Sequence, residues 1–345
     1  MRKVRVAING FGRIGRAFFK LAQKRDELEI VALNDLGDPE NLAYLLKYDT
    51  VYGQSWLSAS VEGEYLVVEG EKILFLSEKN PGDLPWGKLG IDVVVESTGV
   101  FADYEKSRPH LDAGAKRVVI SAPVKGEAPQ DIVGSTVLMG VNEDKLQVCD
   151  ISSNASCTTN AGSPVISILG ETIGIEKAML NTVHGYTATQ SLVDGPNKKD
   201  PRRGRAAAQN IIPSATGAAV ATALAHTSLV DKFDGIALRV PVPVGSIADL
   251  TFVASRATTV QEVNDILRKA SKEERWKGIF AVNDDPIVSS DIIGNTHAAI
   301  ADLSYTRVVA GDLVKVLIWY DNEMGYSNTL VDHVIKTGRH IVSSE

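Results

Sequence analysis

A short apolar run, Val4 to Asn9 (VRVAIN), leads directly into Gly10-Phe11-Gly12-Arg13-Ile14-Gly15, and from Arg13 to Lys24 apolar residues recur at helical spacing. Strand, glycine turn and helix in that order open a βαβ unit, and each glycine of G-x-G-x-x-G has its own task. The first makes the tight turn, the second lets a pyrophosphate approach the backbone, and the third packs helix on strand. The helix N-terminus then faces the anion. Alone, the pattern suits a purely structural turn equally well. What narrows it is Asp35, twenty residues beyond Gly15 at the end of the next strand-like run, Glu29 to Asn34 (EIVALN). A carboxylate there accepts hydrogen bonds from the adenosine ribose hydroxyls and repels a 2′-phosphate, so the spacing predicts a dinucleotide site preferring NAD over NADP. The competing reading of Asp35 is a turn residue; adjacent Leu36 offers a phosphate no donor.

A chain of 345 residues exceeds what one hydrophobic core usually supports, so two domains are expected. Val93 to Glu96 and Val118 to Ser121 read as further strands separated by helical or polar stretches, which predicts a mostly parallel sheet. Between Val61 and Leu76, alternation around Gly63 and Gly70 predicts inserted antiparallel hairpins. The character changes near residue 157. A helix-like run reaches Gly170, a polar stretch covers Thr187 to Gly204, and β-branched segments follow at Ile236 to Val240 and Ile247 to Val253. Near the end, Leu330, Val331, Val334 and Ile335 lie at helical spacing in a closing helix. The expected fold is α/β: a Rossmann-type, doubly wound nucleotide-binding domain over 1–156, joined by a C-terminal helix at 324–345. An α+β catalytic domain with a mostly antiparallel sheet fills 157–323.

Formal charge is −7, from 36 Lys and Arg against 43 Asp and Glu, which disfavours nucleic acid as the main partner because phosphate backbones are bound by surplus cations. No window reaches the roughly 18 uninterrupted apolar residues of a membrane span, and the N-terminus enters a strand instead of a signal peptide. A soluble cytoplasmic protein without a membrane partner is therefore expected. The two cysteines, Cys149 and Cys157, suit a reducing compartment and match no zinc spacing. The six histidines are scattered without ligand pairing, so no metal site is expected.

Cys157 lies within Ser152 to Asn160 (SSNASCTTN), among hydroxyl residues where a helix begins. A helix N-terminus stabilises thiolate and is expected to bring the thiol down from its ordinary value of about 8.5 toward neutrality, with His184 as the candidate base. Free cysteine is more often a buried small hydrophobe, and Cys149 beside Val148 fits that role.

Four further segments carry a specific likeness: ASCTTN at Ala155 to Asn160, VHGYTATQ at Val183 to Gln190, RAAAQNIIP at Arg205 to Pro213 and WYDNEMGYS at Trp319 to Ser327. With INGFGRIGR at Ile8 to Arg16, YLLKYD at Tyr44 to Asp49 and ESTGVF at Glu96 to Phe101, they run nearly the whole chain in one order. The chain resembles the phosphorylating, NAD-dependent glyceraldehyde-3-phosphate dehydrogenases, usually homotetramers. The resemblance implies that Cys157 attacks the aldehyde of D-glyceraldehyde 3-phosphate, with His184 as base. Hydride then passes to NAD, and inorganic phosphate cleaves the thioester to 1,3-bisphosphoglycerate, in glycolysis or gluconeogenesis. It assigns Thr187 and Arg239 to one phosphate site, Ser156, Thr158, Thr216 and Gly217 to the other, and Arg203 to the substrate. Around the cofactor it puts Gly10, Gly12, Arg13, Ile14 and Gly15 at the pyrophosphate, Asp35 at the ribose, Lys79 near the adenine, Ser121 at a ribose and Asn322 at the nicotinamide carboxamide. Tyr326 either packs near that ring or is an ordinary helix-start aromatic.

The chain departs from the family in places. Ala161 stands where a second cysteine is common, Val220 where Lys is usual, Lys79 where many members have Arg, and Gly185 where Ser is common. Glu127 to Gly134 lengthens a loop. The cluster Lys198, Lys199, Arg202, Arg203 and Arg205 reads as cofactor and subunit lining, or for the two lysines as a solvated run. The nearest rival, erythrose-4-phosphate dehydrogenase, is disfavoured by Thr187-Ala188-Thr189-Gln190.

Overall fold

The chain is seen here as a computed structural model that describes residues 2–124, 126–198, 200–217, 221–222 and 225–343. It divides into two compact units, one formed by residues up to Ala155 with those from Ser327 onward, the other by Ser156–Tyr326.

In chain order the first unit holds β1 (Val4–Asn9), α1 (Arg13–Ala22), β2 (Leu28–Asn34), α2 (Pro39–Lys47), a small hairpin of β3 (Tyr48–Asp49) and β4 (Gly53–Gln54), β5 (Ala59–Glu62), β6 (Tyr65–Val68) and β7 (Glu71–Leu76). It continues with the single turn α3 (Trp86–Leu89), β8 (Val93–Glu96), α4 (Tyr104–Asp112), β9 (Arg117–Ile120), β10 (Gly134–Thr136) and β11 (Ile151–Ser153). The sheet order is β10-β11-β9-β8-β1-β2-β7-β6-β5. Every pair from β10 to β7 is parallel, and β5, β6 and β7 pair antiparallel as the alternation around Gly63 and Gly70 predicts. Val93, Val94 and Val95 are all buried, the uninterrupted apolar run of a strand covered on both faces.

After β1 the chain builds outward through β2, then returns to β1's other side with β8, so strand order reverses between β1 and β8. Ligands of open α/β sheets bind in the crevice at the carboxyl ends of strands at such a switch point. The fingerprint glycines stand there for readable reasons. Gly10 adopts φ +95°, and a Cβ on it would lie 2.6 Å from the Thr98 backbone nitrogen. A Cβ on Gly15 would lie 2.2 Å from the Gly10 carbonyl oxygen, so helix and turn touch backbone to backbone.

The second unit begins with α5 (Cys157–Gly170), then β12 (Ile175–Gly185), β13 (Ile212–Ala215), β14 (Phe233–Val240), β15 (Ser246–Ala254), α6 (Val260–Ala270), β16 (Phe280–Asn283), β17 (Ala299–Val309) and β18 (Leu313–Tyr320). Its order is β13-β14-β12-β15-β18-β17-β16, antiparallel except for β12 with β14 and β16 with β17. Strict alternation of burial along β15 shows a sheet with one face packed and one open. Helix α5 lies on the packed face and is buried along nearly its whole length, its polar Thr158, Thr159, Asn160, Ser163 and Ser167 included. The helix α7 (Met324–Val342) closes the fold, covering the span in which helical spacing was read. The segment around 127–134 forms no helix and ends in β10.

Gly10→Ala should lower stability by about 1–3 kcal/mol, because it forces positive φ on a residue with a side chain and drives its methyl into backbone. Chemical denaturation of the variant checks this, and unchanged stability would show that the 97–99 loop gives way.

Candidate active site

Strand β12 carries His184, and its register sets the neighbours: Arg239 of β14 on one side and Ser246 of β15 on the other. Cys157 is the first residue of α5, capped by Ser156, whose hydroxyl accepts the Thr159 N–H at 3.1 Å. These two elements bring Cys157 Sγ within 3.3 Å of His184 Nε2. On the far side of the ring, His184 Nδ1 is 2.6 Å from the Gly185 carbonyl oxygen and 2.5 Å from Arg239 Nη1. A guanidinium only donates and a carbonyl only accepts. The tautomer that gives its Nδ1 proton to Gly185 leaves Nε2 to accept from the thiol, whereas the one that accepts from Arg239 at Nδ1 carries its proton on Nε2.

The electrostatics correct one expectation. The amides of Thr158 and Cys157 do pull the thiol down, as a helix N-terminus should, and so does the Arg239 charge. Burial outweighs them and pushes the Cys157 thiol above its ordinary value. Burial also drives His184 down to about 3, with the Arg239 charge adding to the fall and the Gly185 carbonyl opposing it. Both shifts run toward the uncharged forms of the pair, thiol and neutral imidazole.

Tyr320, inside the WYDNEMGYS segment, joins the site although no sequence signal singled it out. Its buried hydroxyl bridges Thr158 Oγ1 at 2.9 Å and Thr182 Oγ1 at 2.6 Å, and its ring stands edge-on to His184. Period-two alternation along β18, with Val314, Val316, Ile318 and Tyr320 all buried, marks it only as facing inward.

Among the anion-binding candidates, Arg203 is held by Ser214, its Nε and Nη2 donating to that hydroxyl at 3.0 and 2.6 Å. Burial lowers Arg239, the Cys157 and Tyr320 groups oppose this, and the charge of Arg203 lowers it further. Two neighbouring guanidiniums that repel each other are relieved by an anion. Thr187 bonds Thr189 through its hydroxyl at 2.9 Å. The Thr158 hydroxyl is taken up by Tyr320, and Ser156 is occupied in capping. Thr216 is half-buried and Gly217 exposed after β13, with no atom within 4 Å of a Cβ on Gly217. Asn322 is fixed by two donors to its side-chain oxygen, Gly245 N at 3.0 Å and Ser246 Oγ at 3.2 Å. Ala161 is buried within α5 and Gly185 within β12, while Val220 and Lys199 lie outside the described residues.

In the first unit, Asp35 ties two loops together: Oδ2 accepts Phe11 N at 2.6 Å and Oδ1 accepts Gly37 N at 2.8 Å. The Arg13 guanidinium pairs with Asp49 at 3.1 Å. Ile14 is half-buried, Ser121 is half-buried with its N–H on the Glu96 carbonyl at 2.9 Å, and Lys79 is exposed. A dinucleotide fits this cradle: no side chain caps α1, and a Cβ on Gly12 would meet nothing within 4 Å. Among the described residues no group of three His, Cys, Asp or Glu could hold a metal ion, and no helix is long and apolar enough to cross a membrane.

Comparison with known proteins agrees with this geometry. Residues 4–104 match the profile "Glyceraldehyde 3-phosphate dehydrogenase, NAD binding domain", and residues 156–322 match "Glyceraldehyde 3-phosphate dehydrogenase, C-terminal domain". Curated glyceraldehyde-3-phosphate dehydrogenases are similar over almost their whole length. That of Streptomyces coelicolor is 49% identical over 98% of this chain and 99% of the relative. That of Geobacillus stearothermophilus is 49% identical over 95% and 96%, and that of Mycobacterium tuberculosis 49% over 98% and 99%.

Cys149 is only 2% exposed, whereas Cys157 is partly accessible. Iodoacetamide should therefore place a single adduct per native chain, on the peptide containing Cys157. Peptide mass spectrometry checks this, and labelling of Cys149 at a comparable rate would contradict it.

Proposed function

The chain belongs to the glyceraldehyde-3-phosphate dehydrogenase family, and we propose that Cys157 and His184 carry the reaction in this member. The enzyme oxidises D-glyceraldehyde 3-phosphate with NAD and inorganic phosphate. The observation that carries the assignment of roles is the 3.3 Å approach of Cys157 Sγ to His184 Nε2 at the start of a buried helix.

Attack of Sγ on the aldehyde carbon forms a C–S bond, while the thiol proton passes to Nε2 and on to the former carbonyl oxygen. The Cys157 N–H and the imidazole stabilise the charge developing on that oxygen. His184 then removes the hydroxyl proton of the hemithioacetal as the carbon gives up its hydride. NAD supplies the hydride acceptor. What remains is a thioester on Cys157. Phosphate oxygen attacks its carbonyl carbon, the C–S bond breaks, and the departing sulfur recovers a proton from His184, releasing the acyl phosphate. A phosphate group on Arg239 offsets the charge that depresses His184, so binding strengthens the base when it is needed. Arg203 and Thr187 supply further donors to the phosphates, with Ser156, Thr158, Thr216 and Gly217 contributing through backbone or hydroxyl as their contacts allow. Asn322, held by Gly245 and Ser246, keeps its amino group for the carboxamide of the cofactor.

We read the unit ending at Ala155 as the nucleotide-binding domain and Ser156–Tyr326 as the catalytic domain. In the first, Gly10, Gly12, Arg13, Ile14 and Gly15 cradle the pyrophosphate, Asp35 and Ser121 serve the riboses, and Lys79 lies toward the adenine. The open face of the second sheet exposes Met179 (63%), Ile236 (52%) and Leu313 (41%). These apolar side chains, on a face that also carries Asn181, Thr251 and the Lys315–Asp249 pair, suit a second copy of the chain, in keeping with a homotetramer in the cytoplasm.

Spectrophotometric NADH formation, with and without inorganic phosphate, tests the reading. Wild type should turn over in a phosphate-dependent way and Cys157→Ser should not; activity retained by that variant would refute the nucleophile. Arg239→Leu should raise KM for the aldehyde phosphate by about 10- to 100-fold, the loss of a charge-assisted hydrogen bond. An unchanged KM would remove Arg239 from the phosphate site. If Asp35 selects the cofactor, kcat/KM with NAD should exceed that with NADP at least about tenfold, as a carboxylate facing a 2′-phosphate demands.

A further inference from the structure

Three strands of the first sheet end side by side in buried polar residues: Asn9 on β1, Asn34 on β2 and Glu96 on β8, none more than 4% exposed. Behind them His110 of α4 is wholly buried. The hydrogen bonds can be assigned by elimination. The Trp86 indole N–H only donates, and it lies 3.0 Å from His110 Nδ1, so Nδ1 accepts. The ring proton is therefore on Nε2, 3.2 Å from Glu96 Oε2. The same oxygen accepts from Asn9 Nδ2 at 2.6 Å. The other, Oε1, accepts from the Thr98 N–H at 2.8 Å and from its hydroxyl at 2.5 Å. Four donors converge on the two oxygens of Glu96.

These contacts hold together the loops at the switch point. Thr98 backbone packs against Gly10, Ser97 Oγ donates to the Gly10 carbonyl at 2.7 Å, and Asn34 Nδ2 donates to Asn9 Oδ1 at 2.7 Å. Asn34 also reaches the next loop, exchanging bonds with the Glu78 backbone at 2.9 and 2.8 Å. Rotation of the Glu96 carboxylate would release the Thr98 N–H and Asn9 together. His110, itself fixed by Trp86, holds that carboxylate from behind.

We propose that His110 is a positioning residue for the cofactor: locked by Trp86 as the Nε2–H tautomer, it orients Glu96, which pins the Ser97–Gly99 loop against the first glycine of the fingerprint. The inference rests on the NAD reading above. A side-chain amide separates its two hydrogen bonds. Gln at position 110 reaches Glu96 with a donor in the place of Nε2, whereas Asn keeps a polar group near Nδ1 for Trp86 but does not reach Glu96.

NAD binding by His110→Gln and His110→Asn, measured by titration calorimetry on the full chain without substrate, tests the proposal, alongside thermal melts. His110→Gln should bind NAD within about threefold of wild type, and His110→Asn should bind about tenfold or more weakly, the scale of a lost hydrogen bond to a charged group. Hydrogen exchange at the Thr98 amide should speed up in the Asn variant alone. Equal affinities in both variants, or losses that merely follow the drop in melting temperature, would overturn the proposal. If neither variant folds, the histidine 15N spectrum of wild type still decides: Nε2–H at His110 supports it and Nδ1–H refutes it. Absence of NAD binding by folded wild type would instead refute the cofactor reading on which it rests.

Discussion

One hydroxyl, that of Tyr320, is shared between Thr158 on α5 and Thr182 on β12, and the chemistry depends on it because it ties the start of the nucleophile's helix to the strand that bears the base. A 3.3 Å contact between sulfur and imidazole is useful only if neither can drift, and the two groups come from different elements. Tyr320 is fully buried and both its partners are buried threonines, so breaking the bridge would strand polar groups in the interior at about 1–3 kcal/mol each. The Ser156 cap fixes the helix terminus from outside, and the β12 register fixes His184 against Arg239. Positioning here comes from ordinary secondary-structure constraints.

Burial that makes the pair rigid also makes it electrically quiet. Burial pushes Cys157 up and His184 down, which favours the uncharged form of each group. The charge that acts on both groups is the guanidinium of Arg239, which the charge of Arg203 lowers in turn. In the proposed reading Arg239 and Arg203 both meet phosphate, and neutralising Arg239 eases protonation of His184 while removing a stabiliser of thiolate. Proton transfer coupled to bond formation fits such a site better than a permanently charged nucleophile.

What was legible in the sequence was what is local. The glycine fingerprint, the hairpins around Gly63 and Gly70, the closing helix and the buried Cys149 all follow from patterns spanning a few residues, and the structure shows each of them. Cys157 at a helix start was legible too, from the hydroxyl residues around it and the helix-like run that follows to Gly170. The direction of its thiol shift was not, since burial is set by elements distant in sequence. Asp35 was read as a ribose acceptor, yet it also ties the Phe11 and Gly37 amides, a role visible only when the loops close on each other. Tyr320 and the Trp86–His110–Glu96 chain were missed for the same reason: their partners are far away in sequence, so no spacing announces them.

Intact-protein mass spectrometry, after wild type is mixed with aldehyde phosphate and NAD in phosphate-free buffer, tests the central claim most directly. The expected result is a covalent acyl adduct, mapped by digestion to Cys157, that disappears on adding inorganic phosphate as acyl phosphate is released. NADH formed without any adduct on Cys157, or an adduct indifferent to phosphate, would contradict a thioester held at this site.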